Sequence, residues 1–185
     1  MKPSAMLSLL LVLGGLFVCP QIIQGQTKTP EEKIQNAMSA APPSIAKDAT
    51  IMDWPAKEGD KPTVLRQGTN AWTCLPDDPR TPTNDPMCLD KMWLVLLQAL
   101  MSKTEPKITA PGISYMLQGS STASNTDPFA PPPSTKEQWQ IDPPHTMVVV
   151  PGKLDSAVFP TDPHTGGPWI MWRGTPYEHL MVPVK

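Results

Sequence analysis

Twenty-five prolines are spread along the 185 residues of this chain, and no other feature restricts its fold more. Each proline fixes its own φ, brings no N–H to a helix or a ladder, and pushes the residue before it away from helical geometry. Elements must therefore be short and loops many. Pro and Gly together make 36 of the 185 residues, short of the ~25–30% at which a chain without a repeat reads as low-complexity. A folded core remains possible, and the length fits one domain. The formal net charge is −2, and no two Lys or Arg are adjacent, so the electrostatic footprint of a nucleic-acid binder is missing.

The N-terminus reads as an export signal. Lys2 precedes an uncharged stretch from Ala5 to Val18 (AMLSLLLVLGGLFV), which has the length of a secretory apolar region and is too short to cross ~30 Å of hydrocarbon as a helix. Cleavage after Gly25 is expected, giving residues 1–25 as signal peptide and 26–185 as a single exported domain, periplasmic or extracellular. Leu16-Phe17-Val18-Cys19 resembles a bacterial lipoprotein box, with Val18 where Gly or Ala is usual, which leaves a lipid anchor at Cys19 as the rival processing route. Nothing later in the chain is long and apolar enough to span a membrane. Removing residues 1–25 takes away one charged side chain, Lys2, leaving 14 basic and 17 acidic residues and a net charge of −3. Two cysteines stay behind. Cys74 and Cys88 enclose 13 residues, and in an oxidising compartment such a pair reads as a disulfide. Two cysteines alone do not make a tetrahedral zinc site, and the spacing is not that of a redox pair.

Thr29-Pro30-Glu31-Glu32 combines an N-cap, a proline at the first helical position and an acidic first turn, which predicts a short helix ending before Pro42-Pro43. Three strand-like pieces follow, Thr50–Trp54, Thr63–Arg66 and Ala71–Cys74, and are expected to form an antiparallel meander. The segment between the cysteines, LPDDPRTPTNDPM, suits an exposed, stapled loop. Asp85 then has the place of a cap and Pro86 that of a first residue for a helix over Met87–Ser102, apolar on most of its circumference and expected at the centre of the domain. Gly112–Leu117 reads as a strand and Gly119–Pro133 as a long loop of the functional or mobile kind. Met147–Val150 suits the middle of a sheet. Trp169–Trp172 and His179–Val182 should form a final hairpin around RGTPYE. The expected class is α+β: a small antiparallel or mixed sheet packed on one central apolar helix, loop-rich, with one disulfide.

The stretches GTNAWTCLPD, DPMCLDKMW, GISYMLQGS, ASNTDP and GGPWIMWRGTPYEHLMVPV together resemble a family of small, exported, uncharacterised bacterial proteins. The resemblance covers most of the chain after residue 25. It implies a bacterial, exported origin and carries no activity, cofactor or catalytic residue.

Catalytic signatures are weak. Ser120 and Ser121 follow Gly119, and His145, His164 and His179 are the histidines, but no nucleophile elbow or other signature surrounds them. Hydrolase chemistry is therefore a third choice, and no catalytic residue is assigned. Asp127, Asp142 and Asp162 precede proline, where they initiate turns without any acid–base role, and Asp155 also fits a turn. No phosphate loop occurs, and Gly166-Gly167-Pro168 reads as a turn.

The most distinctive constellation is a repeated His-x-Met, His145-Thr146-Met147 and His179-Leu180-Met181. On a strand, residues two apart share a face, so each copy presents an imidazole beside a thioether. Soft sulfur with imidazole nitrogen selects Cu(I) among the common metals. Four ligands, His145, Met147, His179 and Met181, would converge if the two strands were neighbours, with Glu178 as the one conceivable orienting group. The plainer alternative is that both methionines fill a core short of aromatics. Trp169 and Trp172, expected on opposite faces of one strand, are candidates for stacking on a ligand. The leading expectation is thus a non-catalytic cell-envelope domain that binds a small ligand or an envelope protein, with no cofactor. The alternative is a periplasmic copper-binding protein.

Overall fold

The computed structural model describes residues 28–57 and 59–184; the expected signal peptide, 1–25, and Cys19 lie outside the described residues. In chain order the elements are α1 (Pro30–Met38), α2 (Pro43–Ala46), β1 (Thr50–Asp53), β2 (Thr63–Arg66), β3 (Thr73–Leu75), β4 (Met87–Leu89), α3 (Lys91–Met101), β5 (Gly112–Met116), β6 (Ser120–Thr122), β7 (Gln140–Asp142), β8 (His145–Val149), β9 (Trp169–Met171) and β10 (His179–Pro183). Eight strands form one mixed sheet in the order β2-β1-β3-β4-β5-β8-β10-β9, and β6 pairs with β7 in a separate ribbon. No helix among the described residues is long and apolar enough to cross a membrane.

The first helix forms where its sequence signals lie. Thr29 Oγ1 accepts the N–H of Glu32, and the Glu32 carboxylate accepts the N–H of Thr29, so two of the four orphan donors of the first turn are satisfied reciprocally. Lys33 ties the helix to the sheet through an ion pair with Asp53 at 2.6 Å. The disulfide is present, and it joins Cys74 and Cys88 directly across the β3–β4 pair.

Three expectations need correction. The meander is not antiparallel throughout: β1 pairs with β2 antiparallel but with β3 parallel, because the β2 hairpin folds back to the sheet edge and lets residues 67–72 return the chain in the direction of β1. Asp85 does not start the long helix. Met87–Leu89 is drawn into a strand between β3 and β5, and the helix begins after Asp90, whose carboxylate accepts the N–H groups of Met92 and Trp93 and also that of Ile113 on β5. One carboxylate thereby caps α3 and fixes it to the sheet. The segment between the cysteines is not simply exposed either, since Pro76, Asp85 and Pro86 are buried.

Side-chain alternation along β3 and β4 splits the core in two. Cys74 and Cys88 point to one face and pack with the alanines of the α1–α2 region and Ile51. Leu75 and Leu89 point to the other and pack with Trp93 and Leu96 of α3. The two helices therefore cover opposite faces of an extended sheet, so the domain is α+β but richer in sheet than one central helix implies.

Candidate functional site

The α3 face of the sheet can be read from its register. By alternation His145, Met147 and Val149 of β8 and His179, Met181 and Pro183 of β10 lie on the side of the sheet on which α3 packs. The two strands are antiparallel neighbours with Met147 directly opposite Met181 and His145 opposite Pro183. On the far side β9 places Met171 opposite His179 and Trp169 opposite Met181. The two His-x-Met copies are thus side by side, with the methionines meeting at the centre. The histidines lie at opposite ends, four residues apart in register, which is about 13 Å of strand.

Between this floor and α3 lies a cavity of about 250 Å³. Met147, Met171, Met181 and His179 line its floor, and Trp93, Leu96, Leu97 and Leu100 of α3 form its roof. The rim comes from the disulfide hairpin and the small ribbon, with Asp85 contributed by the first and Asp142 by the second. Thr83 and Ser121 share a hydrogen bond of 2.9 Å, which stitches these two rim segments together. Arg80 lies over the Trp54 ring at 5.5 Å and closes one corner. His145 is not among the lining residues.

His179 is held from three sides. Its Nδ1 lies 2.9 Å from the Tyr177 carbonyl, and two indoles, Trp93 and Trp172, meet its ring edge-on at 4.9 and 5.1 Å. A carbonyl accepts only, so Nδ1 carries the proton and Nε2 keeps its lone pair. That Nε2 is buried and has no hydrogen-bond partner, and the same holds for His145, whose Nδ1 faces the Pro143 carbonyl at 2.6 Å. An unsatisfied buried acceptor costs about 1–3 kcal/mol. Glu178 is not the orienting group: its carboxylate accepts the N–H groups of Leu154 and Gly174.

The tryptophans separate. Trp169 is fully buried in the core and donates to Asn125. Trp172 does not continue the strand alternation, because its φ of 54° lies in the left-handed region, costly for a bulky residue. Its N–H donates to the Asn125 carbonyl and its indole to that of Ser124. The long loop after Gly119 thus holds Trp172 in this conformation, with its ring against His179 and the cavity. Of the two expected stacking residues, only Trp172 lines the cavity.

A Ser–His–Asp relay is not assembled around Ser120. Its hydroxyl donates to Asp142, at 3.2 Å, while His145 is turned to the Pro143 carbonyl. Among the described residues no group of three or more His, Cys, Asp or Glu is placed to hold a metal ion.

Two rim and floor groups titrate far from their ordinary values. Burial holds the His179 imidazole down to about 4, against the Tyr177 carbonyl and with a lesser contribution from the charge of His145. Burial pushes the Asp85 carboxyl up to about 6, against hydrogen bonds from Thr81 and the Asp78 N–H. Asp142 is raised and His145 lowered, each chiefly by burial. As pH falls from about 6.5 to 4, the unfolded chain takes up a proton that folded His179 refuses, so this imidazole lowers stability. Over the same window folded Asp85 takes up its proton before the unfolded chain does, which raises stability. Each shift of roughly two pKa units corresponds to about 3 kcal/mol, and in the wild type the two oppose each other. Asp85→Asn removes one side. Urea denaturation at successive pH values should show the variant losing about 2 kcal/mol more than the wild type between pH 6.5 and 4. Parallel curves would mean that Asp85 is not buried as described.

Sequence reasoning pointed to His179, Met147, Met181 and Trp172, and missed Met171, Trp93 and Asp85. Met171 and Trp93 had no local signal, since they reach the site only through strand order and helix packing. Comparison with known proteins found no family model, no curated protein and no solved structure that matches this chain.

Proposed function

We propose that this chain is an exported, non-catalytic domain that binds a small, largely apolar ligand in the cavity beneath α3. The observation that carries this reading is the combination of an apolar floor and roof with a buried, unpartnered acceptor, Nε2 of the lining residue His179. Small-molecule sites have this composition, apolar walls with a few placed polar groups. An apolar cavity of roughly 150 Å³ is enough to hold benzene, so this one suits a one- or two-ring molecule. The export expectation is supported by the N-terminal apolar segment and by the Cys74–Cys88 disulfide, a bond at home in oxidising compartments.

Indole and naphthalene test the reading. Indole brings an N–H donor for His179, and naphthalene brings none. Indole should stabilise the protein saturably with one site, by about 2.7 kcal/mol at 100 times its Kd, and more tightly than naphthalene. Leu97→Trp, which fills the cavity from α3, should abolish the effect of both. Absence of any saturable stabilisation of the folded wild type would overturn the reading.

A further inference from the structure

The cavity floor has a donor set too specific for a general apolar pocket. Met147 and Met181 are directly opposed on β8 and β10, and His179 and Met171 are directly opposed on β10 and β9. Directly opposed side chains stand ~4.5–5.5 Å apart at Cβ, so four soft or borderline donors converge on one patch, and all four line the cavity. We infer that this patch is a Cu(I) site, with His179 Nε2 and the thioether sulfurs of Met147, Met181 and Met171 as its ligands. The assignment rests on the reading of the cavity as a binding site and goes beyond it, placing a metal ion on the cavity floor in addition to any organic molecule the cavity takes.

Three physical points lead to this ion. The imidazole is already set as a ligand: Tyr177 accepts from Nδ1, Trp93 and Trp172 fix the ring, and Nε2 is buried with nothing to bond. Metal-bound histidines are oriented in this way, often by a backbone carbonyl. The donors are also soft. Thioethers favour Cu(I) and bind hard or strongly charged ions poorly. Finally, the ligand set is neutral. A divalent ion brought into this apolar cavity would lack compensating charge, whereas a monovalent one costs far less to desolvate. Asp85 and Asp142 remain at the rim and are not among the donors.

The ligand set differs from the one the His-x-Met repeat suggests. Met171 joins because β9 places it opposite His179, and His145 is left out because the antiparallel register carries it four residues away and outside the lining.

The test is an anaerobic titration of the disulfide-bonded protein with Cu(I) held by a chromophoric chelator. One equivalent should leave the chelator, and X-ray absorption should show sulfur neighbours together with one nitrogen. Met147→Leu combined with Met181→Leu conserves volume, so the fold survives, and Cu(I) affinity should fall at least tenfold to a hundredfold, the range that even loss of an outer-shell partner produces. Met52→Leu, outside the cavity, should change nothing, and His145→Gln should leave one equivalent bound. Unchanged affinity in the double variant would overturn the assignment. So would failure to compete with the chelator while indole still binds; that outcome leaves an organic ligand as the occupant of the cavity. If neither copper nor indole binds, the reading of the cavity fails together with its occupant.

Discussion

Replacing Cys74 and Cys88 together by alanine is expected to lower stability by about 2–5 kcal/mol. Two effects add. The bond closes a loop of about 15 residues, for which chain entropy alone predicts about 3 kcal/mol, a model-dependent figure. Both cysteines are also fully buried in the alanine-rich core under α1, so each lost sulfur leaves part of a well-packed neighbourhood without contacts. The same loop carries Asp85 and Arg80 to the rim of the cavity, so the variant should bind indole more weakly than its folded fraction alone accounts for. Equilibrium urea unfolding reads the first effect. Mass spectrometry of protein without residues 1–25 should show it two hydrogens lighter than after reduction, and two titratable thiols in the unreduced protein would remove the basis of the prediction.

What the sequence made legible was local. The N-cap, proline and acidic first turn at Thr29–Glu32, the hairpin of β9 and β10, and the place of β8 in the interior of the sheet all follow from spacing over a few residues, and the structure has them. The start of α3 was misread because Asp85-Pro86 and Asp90 offer the same kind of capping signal within one helical turn and a half. The choice between them was made elsewhere, by the disulfide and by β5, which together pull Met87–Leu89 into the sheet. The parallel pairing of β1 with β3 has no local signature, since direction within a sheet depends on where the intervening hairpin packs. The candidate site divides along the same line. The His-x-Met alternation announced which residues share a face, but not that antiparallel register would bring the methionines together and move the histidines apart. Trp172 was named as a candidate, but its orientation was not legible, because strand alternation is a rule for extended backbone and at that residue the backbone turns left-handed to meet Ser124 and Asn125.

Leu96→Ala probes core and cavity in one substitution. Leu96 is fully buried, belongs to the cluster formed by α3 and the sheet, and contributes to the cavity roof. Truncating a buried leucine costs the lost transfer free energy plus the void left behind, about 2–5 kcal/mol. In a domain of this size each kcal/mol moves the thermal midpoint by roughly 2–4 °C. The void adjoins the cavity that Leu96 helps to line, so the two volumes are expected to merge. Relaxation should be slight and the cost should lie toward the upper part of that range. The merged volume should also accept a larger apolar molecule than the wild type does. Naphthalene should therefore stabilise Leu96→Ala by more than it stabilises the wild type at the same free concentration, recovering part of the loss through binding to the native state alone. A loss below about 0.5 kcal/mol, the size of a surface change, would place Leu96 outside the core. A full loss without any recovery by naphthalene would separate the packing of α3 from the cavity beneath it.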